Sequence, residues 1–174
     1  MNEPVTGQRR LGRGMIALAW LVALGLLWVG FDDYLERRDN PNRDLRVEAG
    51  ASAELVLKRN RAGHYVAPGT INGLPVVFLI DTGATLVSVP AHLGATLGLA
   101  PGAPQQVLTA NGTVTVRATV IDELGLGPFR VAGVRGHLNP GMRNDDQILL
   151  GMSVLGQLEF TQRGDTLILR PHAN

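Results

Sequence analysis

The pattern of apolar and polar positions divides the chain into three textures. The first is an uncharged stretch from Met15 to Phe31, with Arg9, Arg10 and Arg13 before it and Asp32, Asp33 and Glu36 after it. As a helix it spans roughly 25 Å at about 1.5 Å per residue, near the lower limit for crossing a bilayer. The second texture, residues 32–60, is rich in charge around Asn40-Pro41-Asn42 and predicts a solvated spacer, with one short strand over residues 53–58. The third, residues 61–174, consists of short β-prone runs separated by turn residues and predicts one domain.

Inside that domain the punctuation is specific. Gly63 to Ile71 and Leu74 to Ile80 flank Asn72-Gly73, and Gln105 to Ala110 and Thr113 to Val120 flank Asn111-Gly112. Asn-Gly between two β-prone runs is the strongest short hairpin signal. Pro90 suits the first turn of a helix over residues 91–97, which Gly98 would stop. Residues 124–128 read as a Gly/Pro turn, 129–138 as a strand and 139–146 as a polar loop. Ile148-Leu149-Leu150 runs into Gly151, a short helix-prone segment follows over 152–155, and a closing hairpin pairs residues 158–161 with 166–169. The expected fold is therefore all-β with one or two short helices, preceded by a single N-terminal transmembrane helix.

Composition narrows the function. With 22 Gly, 10 Pro and 5% aromatics, the chain suits a turn-rich β protein. There is no cysteine, which excludes a disulfide framework and a thiol nucleophile. A net charge of +1 gives no reason to expect nucleic acid as a partner. His64, His92, His137 and His172 are scattered without metal-ligand spacing, so neither a metal nor another cofactor is expected. Arginines before the apolar stretch and acids after it predict a cytoplasmic N-terminus (residues 1–14), a span over 15–31 and an extracytoplasmic β-domain. A cleavable signal peptide is the rival reading; the length of the apolar stretch and the absence of a small-x-small cleavage site after it favour an uncleaved anchor.

One residue stands out chemically. Val77-Phe78-Leu79-Ile80 climbs as an apolar strand to Asp81, and the chain turns on Thr82-Gly83-Ala84 before a second β-prone run, Leu86 to Val89. Asp-Thr-Gly is good turn chemistry in any protein. A carboxylate at the inner end of an apolar strand, however, is costly without a purpose. This stretch resembles the active-site signature of retropepsin-like aspartic proteases. Two further features match the family in order: the Thr109-Ala110-Asn111-Gly112 hairpin, where the family carries a flap over bound peptide, and the Ile148-Leu149-Leu150-Gly151-Met152 step into a short helix. The whole resembles the bacterial, membrane-anchored branch of that family.

The resemblance implies a closed β-barrel and hydrolysis of peptide bonds by a water held between two carboxylates that share one proton. It implies Asp81 as the catalytic residue, Thr82, Gly83 and Ala84 as support for its loop, and Thr109 to Gly112 as the part that touches substrate. The chain has a single Asp-Thr-Gly, and the domain is too short for two lobes. The implied enzyme is thus a homodimer with one Asp81 from each copy, and the resemblance makes residues 166–169 the candidate interface strand. Bacterial inner-membrane location with a periplasmic domain follows from the likeness and the charge bias together. Activity would then be bell-shaped in pH, with an acidic optimum. The competing reading is a catalytically silent β-domain that binds peptides or assembles a membrane complex.

Overall fold

The structure, a computed structural model, describes residues 5–45, 54–109, 112–143 and 146–172. It consists of two compact units, residues 1–38 and 39–174. The first is a helix, α1 (Val5–Asp39). It outruns the apolar stretch because Leu35, Glu36, Arg37 and Arg38 are good helix formers, and Arg37 pairs one turn back with Asp33 at 2.9 Å. Pro41, which cannot continue a helix and disfavours helical geometry at Asn40, follows directly.

The second unit begins earlier than expected. Residues 39–45, read from sequence as spacer, belong to it: Asn42 is buried and Leu45 packs against the core. Residues 46–53 of the same expected spacer lie outside the described residues. The strand expected over 53–58 is present as β1 (Leu55–Lys58).

Six further strands build a closed barrel and its arm: β2 (Tyr65–Ile71), β3 (Leu74–Ile80), β4 (Val87–Pro90), β5 (Pro104–Thr109), β6 (Gly112–Leu126) and β7 (Phe129–Asn139). They are completed by β8 (Gln147–Leu150), which precedes a single helical turn, α2 (Met152–Leu155). The sheet order is β2-β3-β8-β4-β7-β6-β5, and β6 also pairs back onto β2, which closes the ring. Phe78, Ile121, Leu124, Ile148 and Leu150 are fully buried in its interior.

Closure depends on two glycines. A Cβ on Gly69 would lie 2.4 Å from the Gly125 carbonyl oxygen and 2.5 Å from the Phe78 ring, and a Cβ on Gly125 would overlap the Thr70 hydroxyl. Gly69→Ala is expected to cost about 2–3 kcal/mol, because backbone and a buried ring have to move. Urea unfolding monitored by circular dichroism measures this, and an unchanged midpoint would contradict it.

The first Asn-Gly turn behaves as its chemistry dictates, and the second hairpin closes one residue earlier than expected, with Gly112 already in β6. Asn72 and Gly73 take φ of 50° and 79°, which joins β2 to β3 with no slack. At the second turn Thr109 pairs with Gly112, while Ala110 and Asn111 lie outside the described residues. The helix expected over 91–97 is shorter than the sequence implies. Only Ala91–Leu93 forms a 3-10 turn, since further turns carry the chain to Gly98 at φ 70°. The turn expected over 124–128 contracts to Gly127-Pro128, because residues 124–126 still pair with β2 and β7.

The last two strands, β9 (Leu158–Arg163) and β10 (Thr166–Pro171), form the expected hairpin and join β1 in a three-stranded sheet of order β1-β10-β9. This corrects the expected interface strand. Residues 166–169 are the middle strand, paired with 55–58 on one side and 160–163 on the other, so they have no edge left to offer another chain.

Candidate active site

Asp81 sits where β3 ends. Its backbone N–H donates to the Leu150 carbonyl at 3.1 Å, which extends the parallel β3–β8 pairing one residue past the strand. The carboxylate Oδ1 accepts the Gly83 N–H at 2.8 Å, and the Ala84 N–H donates to the Asp81 carbonyl at 3.2 Å. Thr82 and Gly83 are exposed, whereas Asp81 is half-buried. The expected supporting residues thus form one tight turn that presents the carboxylate at a surface.

What holds this turn lies far away in sequence. β3 and β4 are consecutive along the chain yet do not pair, because β8 lies between them, parallel to β3 and antiparallel to β4. After β8 the start of α2 clamps the loop from beneath. Met152 N–H donates to the Ala84 carbonyl at 2.8 Å, Ser153 N–H to the Thr85 carbonyl at 2.9 Å, and Val87 N–H to the Ser153 hydroxyl at 3.2 Å. Sequence reasoning flagged the Leu150-Gly151-Met152 step but missed Ser153. A small polar residue in the first turn of a helix is the signal it carried. Ser153→Ala leaves the N–H of buried Val87 without its acceptor. We expect a loss of about 1 kcal/mol in thermal unfolding, with Ser153→Thr closer to wild type.

Beside Asp81 the sheet offers a short apolar shelf. Leu79 lies on the face opposite to buried Phe78 and Ile80; Leu149 is in register with Leu79, and Ser88 with Leu149. Leu79 and Leu149 are half-buried, while Ser88 is buried and donates to Met142 Sδ at 3.4 Å. His137, in register with Ser88, is buried with no partner at Nδ1, and burial pushes its pKa below the usual histidine value. The unfolded chain thus takes up a proton near pH 6.5 that the folded chain refuses. His137 contributes stability that is present above that pH and lost as pH falls below it. Replacing it by Gln should flatten the dependence of the denaturant midpoint on pH below about 6.5. An undiminished slope would rule out His137 as its source.

The expected flap is the β5–β6 arm. Residues 112–116 of β6 pair only with β5, and Leu108 near the end of the arm is 85% exposed. The Thr109 hydroxyl donates to the Gly112 carbonyl at 2.7 Å, and Gly112 takes φ 107°; the Ala110-Asn111 tip lies outside the described residues. A cleft of about 450 Å³ lies at the base of the arm between Ala91, Leu99, Pro101, Val116 and Leu138, and none of its lining residues belongs to the Asp81 loop. His92 and Asp146 pair at 2.9 Å on the surface, and among the described residues no third ligand-type side chain joins them.

Comparison with known proteins agrees with this architecture. Residues 67–157 match the family described as "gag-polyprotein putative aspartyl protease". An uncharacterized Sinorhizobium sp protein from the cobV 5′ region is 30% identical over 94% of this chain and 76% of its own length. An uncharacterized protein of Rickettsia prowazekii is 28% identical over 67% of this chain and 51% of its own. Among solved structures, a retropepsin-like aspartic protease from Rickettsia conorii superposes with a TM-score of 0.56 at 29% identity. That match covers 67% of this chain and 89% of the other.

Proposed function

Since the chain belongs to the retropepsin-like aspartic protease family, we propose that it is a membrane-anchored endopeptidase whose catalytic centre is completed by two copies of Asp81. The observation that carries this reading is the Asp81 turn: a carboxylate held by its own Gly83 N–H at an exposed loop, in a sequence that carries a single Asp-Thr-Gly. A lone carboxylate cannot serve at once as base and acid toward one water and one carbonyl. Two related by a twofold axis can, because like charges in contact keep one proton between them. The ionised Asp81 takes the proton of the water, and the protonated Asp81 of the other copy donates to the scissile carbonyl oxygen. The resulting tetrahedral species collapses with proton return to the leaving amine, and no covalent intermediate forms.

Supporting features follow the same axis. Thr82 and Gly83, both exposed, are available for contact between the two loops. Leu79 and Leu149 form an apolar shelf for a side chain next to the scissile bond, and the β5–β6 arm, with Thr109, Ala110, Asn111 and Gly112 at its end, covers the peptide. With β10 enclosed, the outer edge of β9 is where a second copy adds its sheet; among the described residues no strand pairs there. The anchor is α1. Its side chains from Met15 to Phe31 are exposed, and the window around them has a mean hydropathy of 2.2. The flanking charges favour a β-domain outside the cytoplasm. The test is hydrolysis of a diverse peptide library by the full chain in detergent or liposomes, at concentrations that favour the dimer. Cleavage at acidic pH that a pepstatin-type transition-state analogue blocks is expected. Absence of cleavage across the pH range would turn the reading toward the silent binding module.

A further inference from the structure

The chain is fastened to the β unit almost as soon as α1 ends. Asn42 is 4% exposed. Its amide donates to the Lys58 carbonyl at 2.9 Å and to the Val66 carbonyl at 2.7 Å, and its Oδ1 accepts the Lys58 N–H at 2.8 Å. One side chain thereby satisfies three backbone groups on β1 and β2. The surrounding residues repeat the attachment. Asn42 N–H donates to Asn40 Oδ1 at 3.0 Å, Leu45 N–H donates to the Asn42 carbonyl at 3.1 Å, and Asn60 Nδ2 donates to the Asp39 carbonyl at 2.9 Å. A buried amide paired this fully is costly to withdraw, because each backbone group would be left without a partner.

We infer that Asn42 is a latch that holds the catalytic domain on a two-residue stem, and that the preferred substrates are membrane-proximal, extracytoplasmic segments of anchored proteins. This rests on the reading of α1 as a membrane anchor and of Asp81 as catalytic. Only Asn40 and Pro41 separate Asp39, the last helical residue, from the latch, a reach of about 7–11 Å. The next strand after the latch is β1 at Leu55, and residues 40–54 have a contour of about 50 Å when extended. The latch therefore shortens the connecting chain from fifteen residues, 40–54, to two, Asn40 and Pro41. Sharing one bilayer raises the local concentration of enzyme and substrate, and a short stem restricts that gain to cleavage sites near the surface.

The chain has no cysteine, so one can be introduced as Gln105→Cys, at an exposed position, and labelled with a fluorescent donor against acceptor lipids in liposomes. Twenty Gly/Ser residues inserted between Asp39 and Asn40 add about 25 Å of root-mean-square reach and are expected to lower energy transfer at least about twofold. The same insertion between Gly50 and Ala51, beyond the latch, is expected to leave transfer unchanged. Adding Asn42→Ala to that second chain should make it behave like the first. Equal loss from both insertions, or loss from neither, overturns the latch, even if the Asn42→Ala chain fails to fold. The second readout is cleavage of one peptide sequence placed 10 or 60 residues from a substrate's own membrane helix. At least tenfold preference for the near site is expected, and it should disappear with the insertion before Asn40. Equal wild-type rates overturn the substrate class. If neither substrate is cut while energy transfer behaves as expected, the latch stands and the protease reading fails.

Discussion

Asp81→Asn should reduce peptide hydrolysis by roughly 10³-fold or more while leaving the fold in place. Its side-chain oxygen can still accept the Gly83 N–H that shapes the turn, so circular dichroism and the melting temperature should hardly change. What is lost is proton transfer: an amide can neither accept the proton of the water nor share one with a neighbouring acid. The same variant also reads the stoichiometry. Mixed one to one with wild type at constant total concentration under dimer-favouring conditions, it should leave about one quarter of the activity, because only pairs with two carboxylates work. Independent monomers would retain about one half. Wild-type rates in the pure variant would remove Asp81 from the chemistry, and one half in the mixture would remove the dimer.

Much of this architecture is legible from local chemistry. Asn72-Gly73 and the hairpin ending at Gly112 declare themselves because positive φ is needed there and few residues supply it. The strand into Asp81 declares itself by its unbroken apolar run, and the Asp-Thr-Gly turn by its spacing. What the sequence conceals is non-local. Nothing in residues 147–150 says that they insert between β3 and β4, because that neighbour relation comes from barrel closure over some 60 residues. Residues 166–169 look like a free terminal strand until β1 is seen to cover their second edge. Asn42 has the composition of a spacer residue beside a proline, and only the orphan backbone groups of Lys58 and Val66 give it work to do. The short helix expected after Pro90 shrank for a related reason. Leu97 and Leu99 are drawn into the core, and the chain bends at Gly98 to bury both.

Gly151→Ala should be the most damaging methyl group that can be added near the site. A Cβ there would stand 2.4 Å from the Leu86 carbonyl oxygen, 2.6 Å from the Ala84 carbonyl oxygen and 2.9 Å from the Leu86 carbonyl carbon. All three atoms are backbone, so no side-chain rotation relieves the overlap. The Ala84 carbonyl is also the acceptor for Met152 N–H, and the Asp81 N–H is tied to Leu150 one residue before the glycine. Any retreat therefore breaks the clamp from both directions and tilts the Asp81 turn. The unfolding free energy should fall by about 3 kcal/mol or more. Hydrolysis should fall further than the loss of folded protein explains, because a displacement of about 1 Å at a catalytic group is worth about 10²-fold. Gly156→Ala is the appropriate comparison. Its Cβ would approach the Met152 carbonyl oxygen to 2.8 Å, at the C-terminal end of α2. That variant should lose stability, yet per folded molecule it should remain as active as wild type. If Gly151→Ala behaves the same way, the α2 clamp does not position Asp81.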